Sequence, residues 1–104
     1  SNTKRRLAVT ALGSLARPGD KEVLEGLTHH IENSMTCARC CALDALAVVG
    51  HGQESAIAMI IAQLQHLEVR VRTFAVRALA TAAIPGDAAS VAAAVSRLEE
   101  SAVE

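Results

Sequence analysis

Apolar residues recur along this chain with the spacing of an α-helix, and the same pattern occurs three times. In three segments they occupy positions i, i+3, i+4 and i+7, which form one face of a helix. The pattern predicts helices at about residues 3–16, 36–49 and 69–83. When these segments are aligned on Ala8, Ala42 and Ala75, the copies are 34 and 33 residues apart. A nearly constant step of this size is typical of a repeat protein.

A turn-forming sequence follows each of these helices and precedes a second amphipathic segment. The three turns are Arg17–Asp20, Gly50–Gln53 and Ile84–Asp87. Proline ends a helix, and glycine permits the positive φ that a tight turn requires. Asp20 and Asp87 are predicted to cap the helices that follow them. These second helices are expected at about residues 21–32, 54–66 and 88–102, so the pattern predicts three helical hairpins.

The predicted core consists of corresponding apolar positions in the three copies. In the first helices they are Leu12, Leu46 and Leu79, with Ala11, Ala45 and Ala78 beside them. In the second helices they are Leu24, Leu27 and Ile31, then Ile57, Ile60 and Leu64, then Val91, Ala94 and Leu98. Alanine is abundant, with 21 residues, and Phe74 is the only aromatic residue. Because alanine forms helices well and buries little area, this composition favours thin, closely spaced helical layers.

One set of residues gives the repeat a family resemblance. It comprises Arg72, Ala75, Ala78, Leu79, Gly86, Asp87 and Leu98 in the third copy, and Arg5, Ala8, Ala11, Leu12, Gly19 and Asp20 in the first. The middle copy has Gln53 where the others have aspartate. With these residues the chain resembles HEAT-like repeats, specifically the short form of bilin-lyase-type HEAT proteins. The resemblance implies an all-α fold, a right-handed α-solenoid of three helical hairpins with six antiparallel helices.

The implied organisation is a single HEAT-like domain over residues 1–104, with repeats at about 1–34, 35–67 and 68–104. It is compatible with one part of a longer solenoid. Tetratricopeptide repeats have a similar length, but they place aromatic residues within the helices and a proline after the second helix. Here Pro18 and Pro85 both follow the first helix, which favours the HEAT-like interpretation.

The last predicted helix is unusually apolar for the end of a solenoid. Terminal repeats normally present a polar outer face, whereas Ser90 is the only polar residue between Ala88 and Val95. We therefore expect this end to be covered, either by further repeats or by a second copy of the chain. The alternative is an alanine-rich surface that is simply tolerated in water.

Overall charge and hydropathy exclude several classes of protein. The formal net charge is −1, which by itself favours neither a nucleic acid nor a basic substrate. No apolar run approaches the roughly 20 residues that a membrane span needs. The basic residues Lys4, Arg5 and Arg6 are followed by no signal-peptide-like apolar region, so a cytoplasmic location without membrane association is expected.

Charge is divided between the two sets of helices. The predicted first helices are net basic, and the second helices with their caps are net acidic. The HEAT-like resemblance implies that second helices line the concave side, so this side would attract a basic peptide or protein segment. The alternative is a solvated face that only keeps the protein soluble. The residues predicted to make binding contacts are Glu22, Glu25, His29, His30, Gln63, His66 and Arg97.

Some of these residues align across the copies. His30, Gln63 and Arg97 occupy one position, and Asn33, His66 and Glu100 another. Rows of hydrogen-bonding groups are expected from this register. Arg5, Arg39 and Arg72 also recur at one position. They are predicted to reach a carboxylate or a helix C-terminal carbonyl of the neighbouring repeat, and the alternative is a basic stripe for phosphates.

The cysteines are the remaining candidates for chemistry. Cys37 and Cys40 form a CxxC sequence on one helix face and are expected to face solvent, whereas Cys41 aligns with Leu7 and Phe74 and is expected in the core. A structural zinc site needs four ligands, and no second pair of cysteines exists. No nucleophile elbow or phosphate loop is present either. No catalytic residue, cofactor or metal is predicted.

The function expected from the sequence is therefore that of a non-enzymatic scaffold or adaptor that binds a protein or peptide on its second-helix face. Two alternatives remain open. One is a subunit of a bilin-lyase-like enzyme, which the repeat type alone suggests. The other is phosphate-backbone binding through the basic first helices, although single-strand recognition is disfavoured because aromatic residues for base stacking are nearly absent.

Overall fold

The computed structural model describes residues 2–17 and 19–103, and the side chains of these except 2, 3, 5, 6 and 98–103. This part of the chain is all-α, as predicted, and contains six helices and no strand. The helices are α1 (Asn2–Leu15), α2 (Lys21–Asn33), α3 (Thr36–Val49), α4 (Glu54–Gln63), α5 (Val69–Ala82) and α6 (Ala88–Val103).

The helix ends agree with the predicted boundaries except at the end of α4, which stops at Gln63 instead of about residue 66. There the amides of Leu64, Gln65 and His66 donate to carbonyl oxygens three residues earlier, at 3.1, 3.4 and 3.1 Å. Such bonds tighten the last turn of a helix and use carbonyl groups that would otherwise lack a partner. The sequence pattern continues through this turn, so it does not reveal the change.

The helices form two layers. The first helices of the hairpins pack side by side, α1 on α3 and α3 on α5, and in the other layer α4 contacts α2 and α6. Between the layers, α3 packs on α2, and α5 packs on α4. The shortest dimension of the molecule is 19 Å, which matches two layers of helices about 10 Å thick. α3 and α5 thus each lie against both helices of the preceding hairpin.

The core lies around α3, which has neighbours on both sides. Leu43, Leu46 and Ile60 are completely buried. In the middle copy the predicted core residues Ala45, Leu46, Ile57, Ile60 and Leu64 are buried. The predicted core positions of the outer copies are buried only in part. Residues predicted in the core but found exposed are Ala11, Val91 and Ala94, while Leu12 and Leu24 are half-buried. The outer copies are packed on one side only, and for this reason the prediction fails there.

The turns have the local structure that their residues predict. Gly19, Gly52 and Gly86 adopt φ of 77°, 75° and 88°, a region that other residues rarely occupy. The Asp20 carboxylate accepts a hydrogen bond from the amide of Val23 at 3.3 Å and caps α2. Asp87 caps α6 in the same way, because its Oδ2 accepts from the Ser90 amide at 3.0 Å and from the Ser90 hydroxyl at 2.6 Å.

The turn glycines also connect consecutive hairpins. The amide of Gly19 donates to the carbonyl of Val49, and the amide of Gly52 donates to that of Ala82, both at 2.8 Å. Val49 and Ala82 each lie at the end of the following first helix. The last carbonyls of a helix have no partner within it, so this repeated bond satisfies them and fixes the register between hairpins.

The Asp87 cap predicts a pH-dependent stability. Hydrogen bonds from the Ser90 hydroxyl, and next from its amide, lower the pKa of the Asp87 carboxyl below its ordinary value. A lowered folded-state pKa stabilises the protein above the unfolded-state value, near about 3.9, and this stabilisation is lost as the pH falls through the folded-state pKa.

In Asp87→Asn the side-chain amide oxygen can still accept a hydrogen bond, but no carboxyl group titrates at this position. Thermal unfolding followed by circular dichroism should therefore show a smaller loss of Tm on acidification for Asp87→Asn than for the parent chain. Equal losses in the two proteins would show that folding does not lower the pKa of the Asp87 carboxyl.

A matched pair of glycine substitutions tests the turn conformation. Gly52→Ala places a Cβ at positive φ and at 3.4 Å from Ile84 Cδ1, and should lower the free energy of unfolding by about 1–2 kcal/mol. Gly26→Ala lies in the exposed part of α2, where a new Cβ meets nothing within 4 Å. It should raise the free energy of unfolding by about 0.5–1 kcal/mol, because alanine is the better helix former. Chemical denaturation measures both, and a stabilised Gly52→Ala protein would contradict the assignment of the turn.

Candidate functional site

The predicted acidic contact surface contains a groove between α2 and α4. Its volume is about 480 Å³, and we call it the α2–α4 groove. It is lined by Gly19, Lys21, Leu24, Glu25, Thr28, His29, Glu32, Gln53 and Ser55. Glu25, His29 and Glu32 are exposed and follow one another at i, i+4 and i+7, which places them on one face of α2. Three charged or titratable residues of one helix therefore share this opening.

The opposite wall of the groove comes from the start of α4. Gln53 immediately precedes that helix, and its amide lies 3.0 Å from the position that a Cβ on Gly19 would occupy. A side chain at position 19 would therefore require the exposed Gln53 side chain to shift by a few tenths of an ångström. Gln53 and Ser55 offer an amide and a hydroxyl beside the carboxylates of α2, so the groove combines negative charge with neutral donors and acceptors.

His29 is oriented by a neighbour on α2. The side-chain amide of Asn33 donates to the His29 carbonyl at 3.0 Å and lies 3.3 Å from His29 Nδ1. With Nδ1 as the acceptor, the neutral imidazole carries its proton on Nε2. The ring can then offer a donor toward the groove. Glu22 is also exposed, on the first turn of α2, where a carboxylate interacts favourably with the helix dipole.

The predicted row of His30, Gln63 and Arg97 is not a continuous exposed surface. His30 is exposed, and its Nδ1 lies 3.0 Å from the hydroxyl of Ser34. Gln63 is only 9% exposed, and its Oε1 accepts a hydrogen bond from Arg39 at 3.1 Å. α4 contacts α2 on one side and α6 on the other, and its Gln63 faces inward.

Arg97 and His66 lie away from the α2–α4 groove. Arg97 is half-buried beside α5, where it lines a separate groove. The ring Nδ1 of His66 accepts the amide of Glu68 at 3.0 Å, so His66 orders the connection between α4 and α5. Glu100, which aligns with it, lies outside the described side chains. Of the predicted contact residues, the structure therefore brings together Glu25 and His29, with Glu22 nearby on the same helix.

The recurring arginines have the structural role that was predicted. Arg39 donates to the carbonyl of Ser34 at 3.4 Å, and Arg72 donates to that of Leu67 at 3.0 Å. Ser34 is the C-cap of α2, whereas Leu67 lies in the connection after α4, where Arg72 also donates to the His66 carbonyl at 2.8 Å. A guanidinium placed there satisfies helix C-terminal carbonyls and the negative end of the dipole. The side chain of Arg5 lies outside the described residues.

The cysteines line a second pocket, of about 390 Å³, between α1, α3 and α5. Two expectations are wrong here. Cys40 is buried, at 2% exposure, although it was expected to face solvent, and Cys41 is half-buried although it was expected in the core. Since α3 lies between two helices, its flanks are covered where the corresponding positions of the outer helices are not. Among the described residues, no group of three or more histidines, cysteines or carboxylates is arranged to hold a metal ion.

Burial and charge act in opposite directions on the Cys40 thiol. Burial raises its pKa, and the positive charge of Arg70 partly offsets that effect. Arg70 contacts Cys37 more directly, with its Nη2 lying 3.7 Å from Cys37 Sγ. The two cysteines of the CxxC sequence therefore occupy different environments.

This difference predicts selective thiol modification. Under native conditions iodoacetamide should label Cys37 at least about tenfold faster than Cys40, since thiolate and access are both required. Peptide mapping by mass spectrometry measures the two rates, and labelling in denaturant provides the control in which they converge. Equal native rates would contradict the buried position of Cys40.

None of the helices in the described part of the chain combines the length and apolar character that crossing a bilayer requires. Comparison of the chain with protein-family models, with curated proteins and with solved structures finds no match.

Proposed function

We propose that this chain is a right-handed HEAT-like α-solenoid that acts as a protein-interaction scaffold and holds a basic peptide or protein segment in the α2–α4 groove. The observation that carries this proposal is the groove itself, where the exposed carboxylates of Glu25 and Glu32 share one opening of about 480 Å³. No catalytic role is proposed for any of its residues.

The charge of the groove favours a basic ligand. Within the described residues, no hydrogen bond or ion pair engages the carboxylates of Glu25 and Glu32, so both are available to a ligand. Lys21 at one end is the only basic residue of the lining apart from His29. Two carboxylates at the wall of a cleft attract a lysine or arginine side chain, and the attraction weakens as salt increases.

The walls of the groove are held in place before any ligand arrives. Leu27 and Ile31 anchor α2 in the core, Asp20 caps its first turn, and the amide of Gly19 is bonded to Val49. A preformed surface loses little conformational freedom on binding, so more of the contact energy appears as affinity. Gln53 and Ser55 on the other wall can pair with the peptide groups of an extended ligand.

Charge reversal within the groove tests this function. A library of random peptides immobilised on beads provides the probe, and retention is scored by the enrichment of lysine and arginine in the bound fraction. Glu25→Lys and Glu32→Lys should each reduce that enrichment several-fold, because each replaces attraction by repulsion. Retention by the parent chain should also fall as salt is raised.

The matched control is Glu68→Lys, which makes the same change of charge at an exposed position before α5, outside the groove. It should retain basic peptides nearly as well as the parent chain. If all three variants lose binding equally, only net charge is being measured. If none loses binding, the groove does not bind basic peptides, and in either case the proposal fails.

A further inference from the structure

In each of the first two hairpins a following first helix packs against both helices. The C-terminal hairpin leaves the corresponding position open. α3 packs against both α1 and α2, and α5 packs against both α3 and α4. Between α5 and α6 there is instead an apolar groove of about 610 Å³, which we call the α5–α6 groove. Its lining includes Leu64, Val76, Leu79, Ala80, Val91 and Ala94. By the repeat register, a first helix belongs in this position.

A comparison of equivalent residues supports this reading. Leu43 of the middle copy is completely buried, whereas Val76, which occupies the same repeat position, is 49% exposed. Ile57 is 9% exposed, and its counterpart Val91 is 53% exposed. Apolar positions that are buried in the middle hairpin, which α5 packs against, are therefore exposed in the last hairpin.

The N-terminal helix presents the complementary face. Val49 and Ala82, at the ends of α3 and α5, are 2% and 0% exposed, whereas Leu15 at the same position of α1 is 83% exposed. The alanines of this face are likewise buried in α3 and α5 and exposed in α1. α1 thus exposes the face that α3 and α5 pack against the preceding hairpin.

The backbone and the charges agree with the same register. Gly86 corresponds to Gly19 and Gly52, whose amides donate to Val49 and Ala82, and the residue of α1 that corresponds to these acceptors is Leu15. Arg39 and Arg72 bring the start of a first helix to the end of the preceding second helix. In the sequence the basic Lys4–Arg6 lies near the start of α1 and the acidic Glu99–Glu100 near the end of α6, so a first helix docked in this register would bring segments of opposite charge together.

We propose that a second copy of this chain docks its α1 in the α5–α6 groove, so that copies associate head to tail. The contact continues the packing that joins consecutive hairpins within one chain. It is heterologous, because two different surfaces meet, and every added copy again offers one free face of each kind. The assembly should therefore grow beyond a dimer as the concentration rises.

Two variants with complementary defects test this proposal. Leu15→Asp blocks the α1 face, and Val91→Asp blocks the groove, each at a position exposed enough for the charge to be tolerated in the folded monomer. Sedimentation velocity should show that the parent chain forms dimers and larger species with increasing concentration, while each variant stays monomeric. An equimolar mixture of the variants should form a dimer of one copy each, and no larger species, since one intact face of each kind remains.

Met35→Asp is the matched control, because it introduces the same charge at another apolar residue. Met35 is 86% exposed and lies in the middle of the chain. It should associate as the parent chain does, and circular dichroism should show native helix content for all variants. The proposal is overturned if the parent chain stays monomeric at every concentration. It is also overturned if the two variants associate normally on their own, or fail to pair when mixed.

Discussion

The structure depends on one packing constraint, which is the insertion of each first helix between the two helices of the preceding hairpin. α3 and α5 do this with faces made of alanine, and Ala45 and Ala75 are completely buried. Side chains of this size let helix axes approach closely while the larger Leu43, Leu46 and Ile60 fill the space between layers. Short helices are marginally stable alone. Each hairpin is therefore stabilised mainly by its neighbours, as in other repeat architectures.

The same constraint decides where the polar groups must go. When a first helix packs against the apolar surface of the preceding hairpin, its C-terminal carbonyls come close to the turn of that hairpin. There they need hydrogen-bond donors. The turn amides of Gly19 and Gly52 provide them on one side of the molecule. At the opposite end of the inserted helix, Arg39 and Arg72 donate to the carbonyls of Ser34 and His66, which follow the preceding second helix. Among the described side chains, no buried nitrogen or oxygen lacks a partner. Glycine and arginine recur in the sequence because these two tasks recur in the structure.

Much of this was predictable from the sequence, because helical periodicity, turn glycines and caps act locally. The helix bounds, the three positive φ angles and the arginine contacts all follow from residues within a few positions of one another or from their recurrence. The burial of individual residues was less predictable. Cys40 was expected to be exposed because it aligns with Thr73, which is exposed, but α3 is covered on both flanks and α5 is not. Val91 was expected in the core but is exposed in the last copy, whereas Gln63 was expected on the contact surface but is buried in the middle copy.

An alignment between copies assigns each position a single environment, whereas a short stack of hairpins gives its end copies fewer neighbours than its middle copy. This difference separates the two grooves chemically as well as in space. The α5–α6 groove is apolar because it repeats an internal packing surface, whereas the α2–α4 groove is acidic because it lies on the outside of the stack. Adding a copy at the end would bury the first and leave the second open. Each added copy would then contribute another acidic groove, and several weak contacts to one extended basic partner would reinforce one another through effective concentration.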